Sequence, residues 1–202
     1  ISRGVIIETG APVARIISDK GSARGVVTQD GREYFAPIVS ANIHPQILLT
    51  KLMERQGLTD DDNRRIDAYR SHSATFRMNV ALSELPKFSS LRPDDDFHFK
   101  GAIELCPSLS YMQHAYREAK HDGWTRKPII SMQIPSTQDP TLTPKGGHVA
   151  SLFCQHFQRY LPNDENWDTI KESVADNVIS AIDEHAPNFK SAIVGRQIKT
   201  PL

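Results

Sequence analysis

The hydrophobic pattern of this chain changes period as it runs. The first 42 residues carry short apolar, β-branched runs: VII at 5–7, VARII at 13–17, GVV at 25–27 and IVSA at 38–41. Runs of this kind, set apart by polar pairs, predict strands and hairpins. We expect strands over residues 4–8, 12–18 and 23–29, a short one over 33–36, and a buried one over 38–41 that enters a larger sheet. Gly21, within DKGS, supplies the positive φ of a tight turn, and Asp30-Gly31 is a stronger hairpin signal.

His44-Pro45 then opens a helix, because proline suits the first turn. Ile47, Leu48, Leu49, Leu52 and Met53 are its apolar residues, and Gly57 ends it. Thr59 caps a second helix, with Asp60, Asp61 and Asp62 at its positive end; these carboxylates read as helix capping rather than metal ligands. Period two returns over 74–85, where Phe76, Met78, Val80 and Leu82 alternate with Arg77, Asn79, Ala81 and Ser83 until Pro86. A polar loop occupies 89–96. Ser108 caps a predicted helix over 109–121 that Gly123 closes. Strands follow over 128–135 and 148–158, joined by a long loop rich in proline and glycine. Asn163 caps the longest helix, which reaches about His185 with Val174, Val178, Ile179 and Ile182 on one face. A last strand spans 192–199. The sum is an α+β chain: a mixed or antiparallel sheet with helices on one face, plus a β-meander.

Composition narrows the function classes. Hydrophobic residues make up 39% of the 202, enough for a core. Lys+Arg and Asp+Glu are both 24, so no basic footprint points to nucleic acid. No apolar run reaches the roughly 20 residues of a spanning helix, which leaves peripheral membrane contact open. Cys106 and Cys154 lie far apart and outside any CxxC, as expected of reduced thiols in a cytoplasmic protein.

Complete catalytic signatures are absent: there is no GxGxxG, Walker loop, HExxH or GxSxG. Eight histidines are present, but His114/His121 and His148/His156 are spaced too widely for the usual ligand patterns, so no metal is expected. The turn-rich loop around Asp139-Pro140 and Gly146-Gly147 reads as a strand connection or as a cavity wall with His148 at its rim. Phe76, Met78, Tyr111, Met112, Met132, Phe153 and Phe157 are either core or an apolar pocket lining. As substrate-contacting residues we single out Phe76, Met78, Met132, His148 and Phe153.

Four separate segments carry a family resemblance. GVIIETGAPVARIISDKGSARGVVTQDGREYFAPIVSAN (4–42) resembles the part of phytoene desaturase-like flavoproteins that follows their glycine-rich FAD motif. Val13/Ile16, Gly25-Val26 to Asp30-Gly31, Val39-Ser40-Ala41-Asn42 and His44-Pro45 carry the likeness there. SELPKF (83–88), IPSTQDPTLTPKGGHV (134–149) and Trp167 are similar to the branch near pyridine nucleotide-disulphide oxidoreductase domain-containing proteins, and so is GRQIKTPL (195–202). The early strands alone are shared with monoamine oxidases and other FAD enzymes. The chain begins at Ile1 and lacks both glycine-rich FAD segments, so the resemblance reads it as an internal fragment.

The resemblance implies residues 1–43 as part of an FAD domain, 44–190 as a substrate domain, and 191–202 as a strand returning toward the FAD domain. It implies flavin-dependent dehydrogenation or isomerisation of an apolar, isoprenoid-like substrate. It further implies FAD in the full-length parent and none bound to this fragment, which is then inactive. Val13 would meet the FAD adenine through its backbone, and Ser40, Ala41 and Asn42 would lie near the phosphate and ribose. Two other readings stay open on the same fold: a lipid-binding chaperone similar to GDP-dissociation inhibitors, and an amine oxidase.

Overall fold

The structure is a computed structural model that describes residues 4–71, 73–92 and 95–201. It divides into two compact units, Ile1–Arg70 and Ser71–Leu202. The division falls after Arg70 rather than after residue 43, so the first helices belong with the meander.

The first unit is built on an antiparallel meander of β1 (Val13–Asp19), β2 (Ser22–Thr28) and β3 (Glu33–Phe35). β1 turns into β2 through Lys20 and Gly21, with φ of 48° and 78°. Two left-handed residues in succession match the strands' twist. At the next turn the Thr28 N–H donates to the Arg32 carbonyl at 2.9 Å. Two expected strands do not form. Residues 4–8 and 38–41 are irregular, and their apolar side chains face outward, Ile6 at 86% and Ile38 at 82% exposure. A strand is stabilised by its neighbour, and among the described residues neither segment has a ladder partner. α1 (Pro45–Ile47) passes into a π-helical turn at Leu48–Leu52, where the sequence predicts one continuous α-helix. Thr59 caps α2 (Asp60–Ala68) through a reciprocal box with Asp62.

The second unit carries a five-stranded sheet in the order β5-β6-β7-β4-β8, and every described pairing is antiparallel. These strands are β4 (Ser73–Leu82), β5 (Ile103–Leu105), β6 (Trp124–Gln133), β7 (His148–Gln158) and β8 (Ile193–Lys199). The alternation predicted for β4 holds: Phe76, Met78, Val80 and Leu82 share a buried face, opposite Cys154, Leu152, Ala150 and His148 of β7. Ile130 and Met132 of β6 extend that face. α4 (Trp167–Asp183) contributes Trp167, Val174, Val178 and Ile182 to the same core, and Phe189 of α5 (Phe189–Ala192) closes it. The Trp167 indole N–H donates to the Gln158 and Arg159 carbonyls, so its polar edge is satisfied inside the core.

The cap of α4 is Asn166, whose amide oxygen accepts from the Asp168 N–H at 2.8 Å. Asn163, the expected cap, instead sits in a left-handed turn with Asp164. α3 (Leu109–Asp122) starts on Ser108 and ends at Gly123 (φ 85°) as its sequence predicts, and it packs along β6 and β7. β8 pairs with β4 inside this unit.

Candidate functional site

A cavity of about 730 Å³ opens in the second unit, where β4 ends beside the start of β7. The chain leaves the sheet after Leu82, and Pro86, which has no N–H for a ladder, does not rejoin it. The departing segment is held in place from behind. The Asn188 side chain accepts from the Lys87 N–H at 2.7 Å and donates to the Leu85 carbonyl at 3.0 Å. Leu85, Phe88, Leu91 and Phe99 give the cavity its apolar walls. Phe99 lies on a 3₁₀ turn, Phe97–Lys100, whose carbonyl at Phe99 accepts from the Thr137 hydroxyl at 3.0 Å. Glu84 and Lys87 form an ion pair of 2.6 Å at the rim. The Lys87 ammonium, with the Asn188 amide, holds the Glu84 carboxyl below the usual range.

Two histidines line this space. His148 opens β7, and its Nδ1 lies 3.5 Å from the Ser136 hydroxyl, which itself accepts from the Val149 N–H at 3.0 Å. His98 is set between Phe88, edge-on at 5.6 Å, and Phe99, at 3.8 Å between ring centres. Both His98 ring nitrogens are buried and make no hydrogen bond. They are the buried side-chain polar atoms without a partner among the described residues.

Of the five residues singled out for substrate contact, His148 is the one that lines this cavity. Phe76, Met78 and Met132 are fully buried beneath α4. Phe153 lies on the other side of β7, with the Arg77 guanidinium 5.4 Å above its ring. Alternation identified which residues share a face, but not that a helix covers that face. The cavity's own walls fall in an irregular segment and a 3₁₀ turn, which have no period to read. SELPKF, noted for its family resemblance, was the trace of them in the sequence.

Elsewhere the chemistry is structural. Glu118 of α3 accepts from the Thr125 hydroxyl at 2.8 Å and from the Arg126 N–H at 2.9 Å. Burial pushes its pKa up, but these bonds and the Arg126 guanidinium bring it below the ordinary value. Burial pushes the Cys154 thiol up to about 12, which makes it a poor nucleophile. No group of three metal-ligating side chains occurs among the described residues. No helix among them is long and apolar enough to cross a membrane.

In the first unit Val13 stands at the start of β1, an edge strand, and is partly exposed. Ser40, Ala41 and Asn42 are exposed, and neither their side chains nor their peptide groups take a hydrogen-bond partner among the described residues. Nearby in sequence, a surface network joins Glu8, Asp30, Arg32 and Tyr34: Arg32 pairs with Glu8 at 2.6 Å and Asp30 at 2.8 Å, and the Tyr34 hydroxyl donates to Glu8 at 2.6 Å.

No family model matches the chain. It is 34% identical over 207 residues to pyridine nucleotide-disulfide oxidoreductase domain-containing protein 2 of Mus musculus, covering 99% of this chain and 36% of that protein. It is 25% identical over 214 residues to prolycopene isomerase 2, chloroplastic, of an Oncidium hybrid cultivar, covering 100% of this chain and 32% of that protein. The chain thus spans about a third of the length of these relatives. Among solved structures, an oxidoreductase from Methanosarcina mazei matches 98% of this chain and 38% of its own length, with a TM-score of 0.51 at 19% identity, a likeness of fold.

Proposed function

We propose that this chain is part of a flavin-dependent oxidoreductase of the phytoene desaturase-like kind acting on an apolar substrate, a reading supported by its likeness to pyridine nucleotide-disulfide oxidoreductase domain-containing protein 2 and to prolycopene isomerase. The observation that carries this reading is one alignment running through both compact units, over 99% of the chain. In this reading the first unit supplies part of the FAD site and the second unit supplies the substrate side.

The residues of the first unit suit that role. Free peptide groups at 40–42, the Ser40 hydroxyl and the Asn42 amide are the donors and acceptors that a ribose or phosphate takes. Val13 at a strand edge suits a backbone contact to adenine. The outward-facing Val5, Ile6, Ile7 and Ile38 suit strands whose partners belong to the rest of an FAD domain. When bound, FAD accepts the hydride of the dehydrogenation. The work of this chain is to bind and orient. The cavity walled by Leu85, Phe88, Leu91 and Phe99 takes the apolar substrate body and keeps water from it. His148, steadied through Ser136, stands at its edge.

The test is Val13→Glu in the longer protein, read by flavin titration. A carboxylate placed beside an adenine edge is expected to weaken FAD affinity at least tenfold. Unchanged affinity would remove Val13 from the cofactor site.

A further inference from the structure

The cavity of the second unit is apolar along its walls, yet it holds one unsatisfied polar group. An imidazole in its neutral form carries one N–H donor and one bare acceptor nitrogen. In His98 both are buried and neither has a partner. Buried polar groups are nearly always paired, and an orphan of this kind calls for a ligand or a functional reason. Phe88 and Phe99 flank the ring, and neither can supply a hydrogen bond. Water does not reach the nitrogens where they stand. His98 lines the cavity, and recognition through it requires the ring to turn about χ2, a torsion that is broad in histidine, so that a nitrogen faces the ligand.

We propose that this cavity binds an apolar molecule bearing a hydroxyl group, with His98 as the residue that recognises the hydroxyl. A hydroxyl both donates and accepts, so it complements either nitrogen. The rim argues against a charged head. Glu84 is paired with Lys87 and Asp96 lies 3.5 Å from Lys100, while Arg92 and Asp95 add one charge of each sign, so the rim has no net charge with which to hold an ionic head. A cavity of about 730 Å³ accommodates a chain or ring system well beyond the head group itself. The inference rests on the reading of this cavity as the apolar-ligand site, and it adds which apolar ligands the site prefers.

The experiment uses the whole chain, with n-octanol, n-octyl fluoride and octanoate as probes, read by calorimetric titration. The alcohol is expected to bind about tenfold more tightly than the fluoride, the gain of one hydrogen bond to an otherwise stranded group. Octanoate is expected to bind no better than the fluoride. His98→Phe removes both orphan nitrogens while keeping the shape, and it is expected to bring the alcohol-to-fluoride ratio close to one without loss of fluoride binding. In the unsubstituted chain, the His98 ring nitrogen resonances are expected to shift with the alcohol and not with the fluoride, so the idea stays testable if the variant misfolds. Absence of saturable binding by all three probes overturns the cavity reading itself. Equal binding of alcohol and fluoride, or an unchanged preference in His98→Phe, overturns the role of His98 alone.

Discussion

Phe76, read from the sequence as either core or pocket lining, stands at the centre of the core. It packs against Phe157 at 5.4 Å and Trp167 at 6.1 Å, with no exposed surface. Burying a ring of this size contributes about 1.5–3 kcal/mol, and removing it leaves a void that closely packed neighbours cannot close. Phe76→Ala is therefore expected to cost about 3–5 kcal/mol, measured as the shift in urea unfolding. A loss below about 1 kcal/mol would mean that the three rings do not form the centre of the core. His98 is the opposite case. It stands in a stretch without period, and its significance comes from what it lacks, two hydrogen bonds. No sequence pattern reports the absence of a partner.

At the scale of elements, legibility followed local chemistry. The Lys20-Gly21 turn, the Thr59 cap, the Ser108 cap and the Gly123 stop were all readable, because each is a short-range device satisfied within a few residues. The alternation of β4 was readable for the same reason, and so was a strand over 148–158. Strands at 4–8 and 38–41 were expected on β-branched composition and are absent, since strand formation needs a lateral partner that composition does not supply. The cap of α4 moved from Asn163 to Asn166 because two asparagines compete there, and a left-handed turn claims the first.

The lock between α3 and β6 makes a prediction at this scale. Glu118 is largely enclosed, and its carboxylate is held below its ordinary pKa by Thr125 and Arg126 against the opposing effect of burial. A carboxyl with a lowered folded pKa contributes stability above its unfolded pKa and loses it as pH falls through the folded value. Glu118→Gln is expected to shrink the loss of stability between neutral pH and about pH 4, seen as a smaller drop in the urea midpoint. An identical drop in both proteins would remove Glu118 from the acid response.

For the whole molecule, the resemblance read from the sequence agrees with a relative at 34% identity, pyridine nucleotide-disulfide oxidoreductase domain-containing protein 2. The cavity at the end of β4 was not legible. Of the residues chosen for substrate contact, Phe76, Met78 and Met132 belong to the core because α4 covers their face, a fact of tertiary packing that lies 90 residues away in sequence from β4. The apolar surface left free is at the end of β4, where the chain departs from regular structure. The FAD-facing residues proposed here act largely through backbone groups, with the Ser40 hydroxyl and Asn42 amide beside them, and backbone groups leave little trace in residue identity. Their exposure and lack of partners are what the fold adds to the sequence.

The central claim is that this chain is part of a flavin-dependent oxidoreductase. The most direct measurement is the flavin content of the longer protein that carries it, purified natively and assayed for FAD released on denaturation. About one FAD per chain, lost at least in part with Val13→Glu, is the predicted result. A longer protein that holds no FAD as purified and takes up none when it is supplied would contradict the claim.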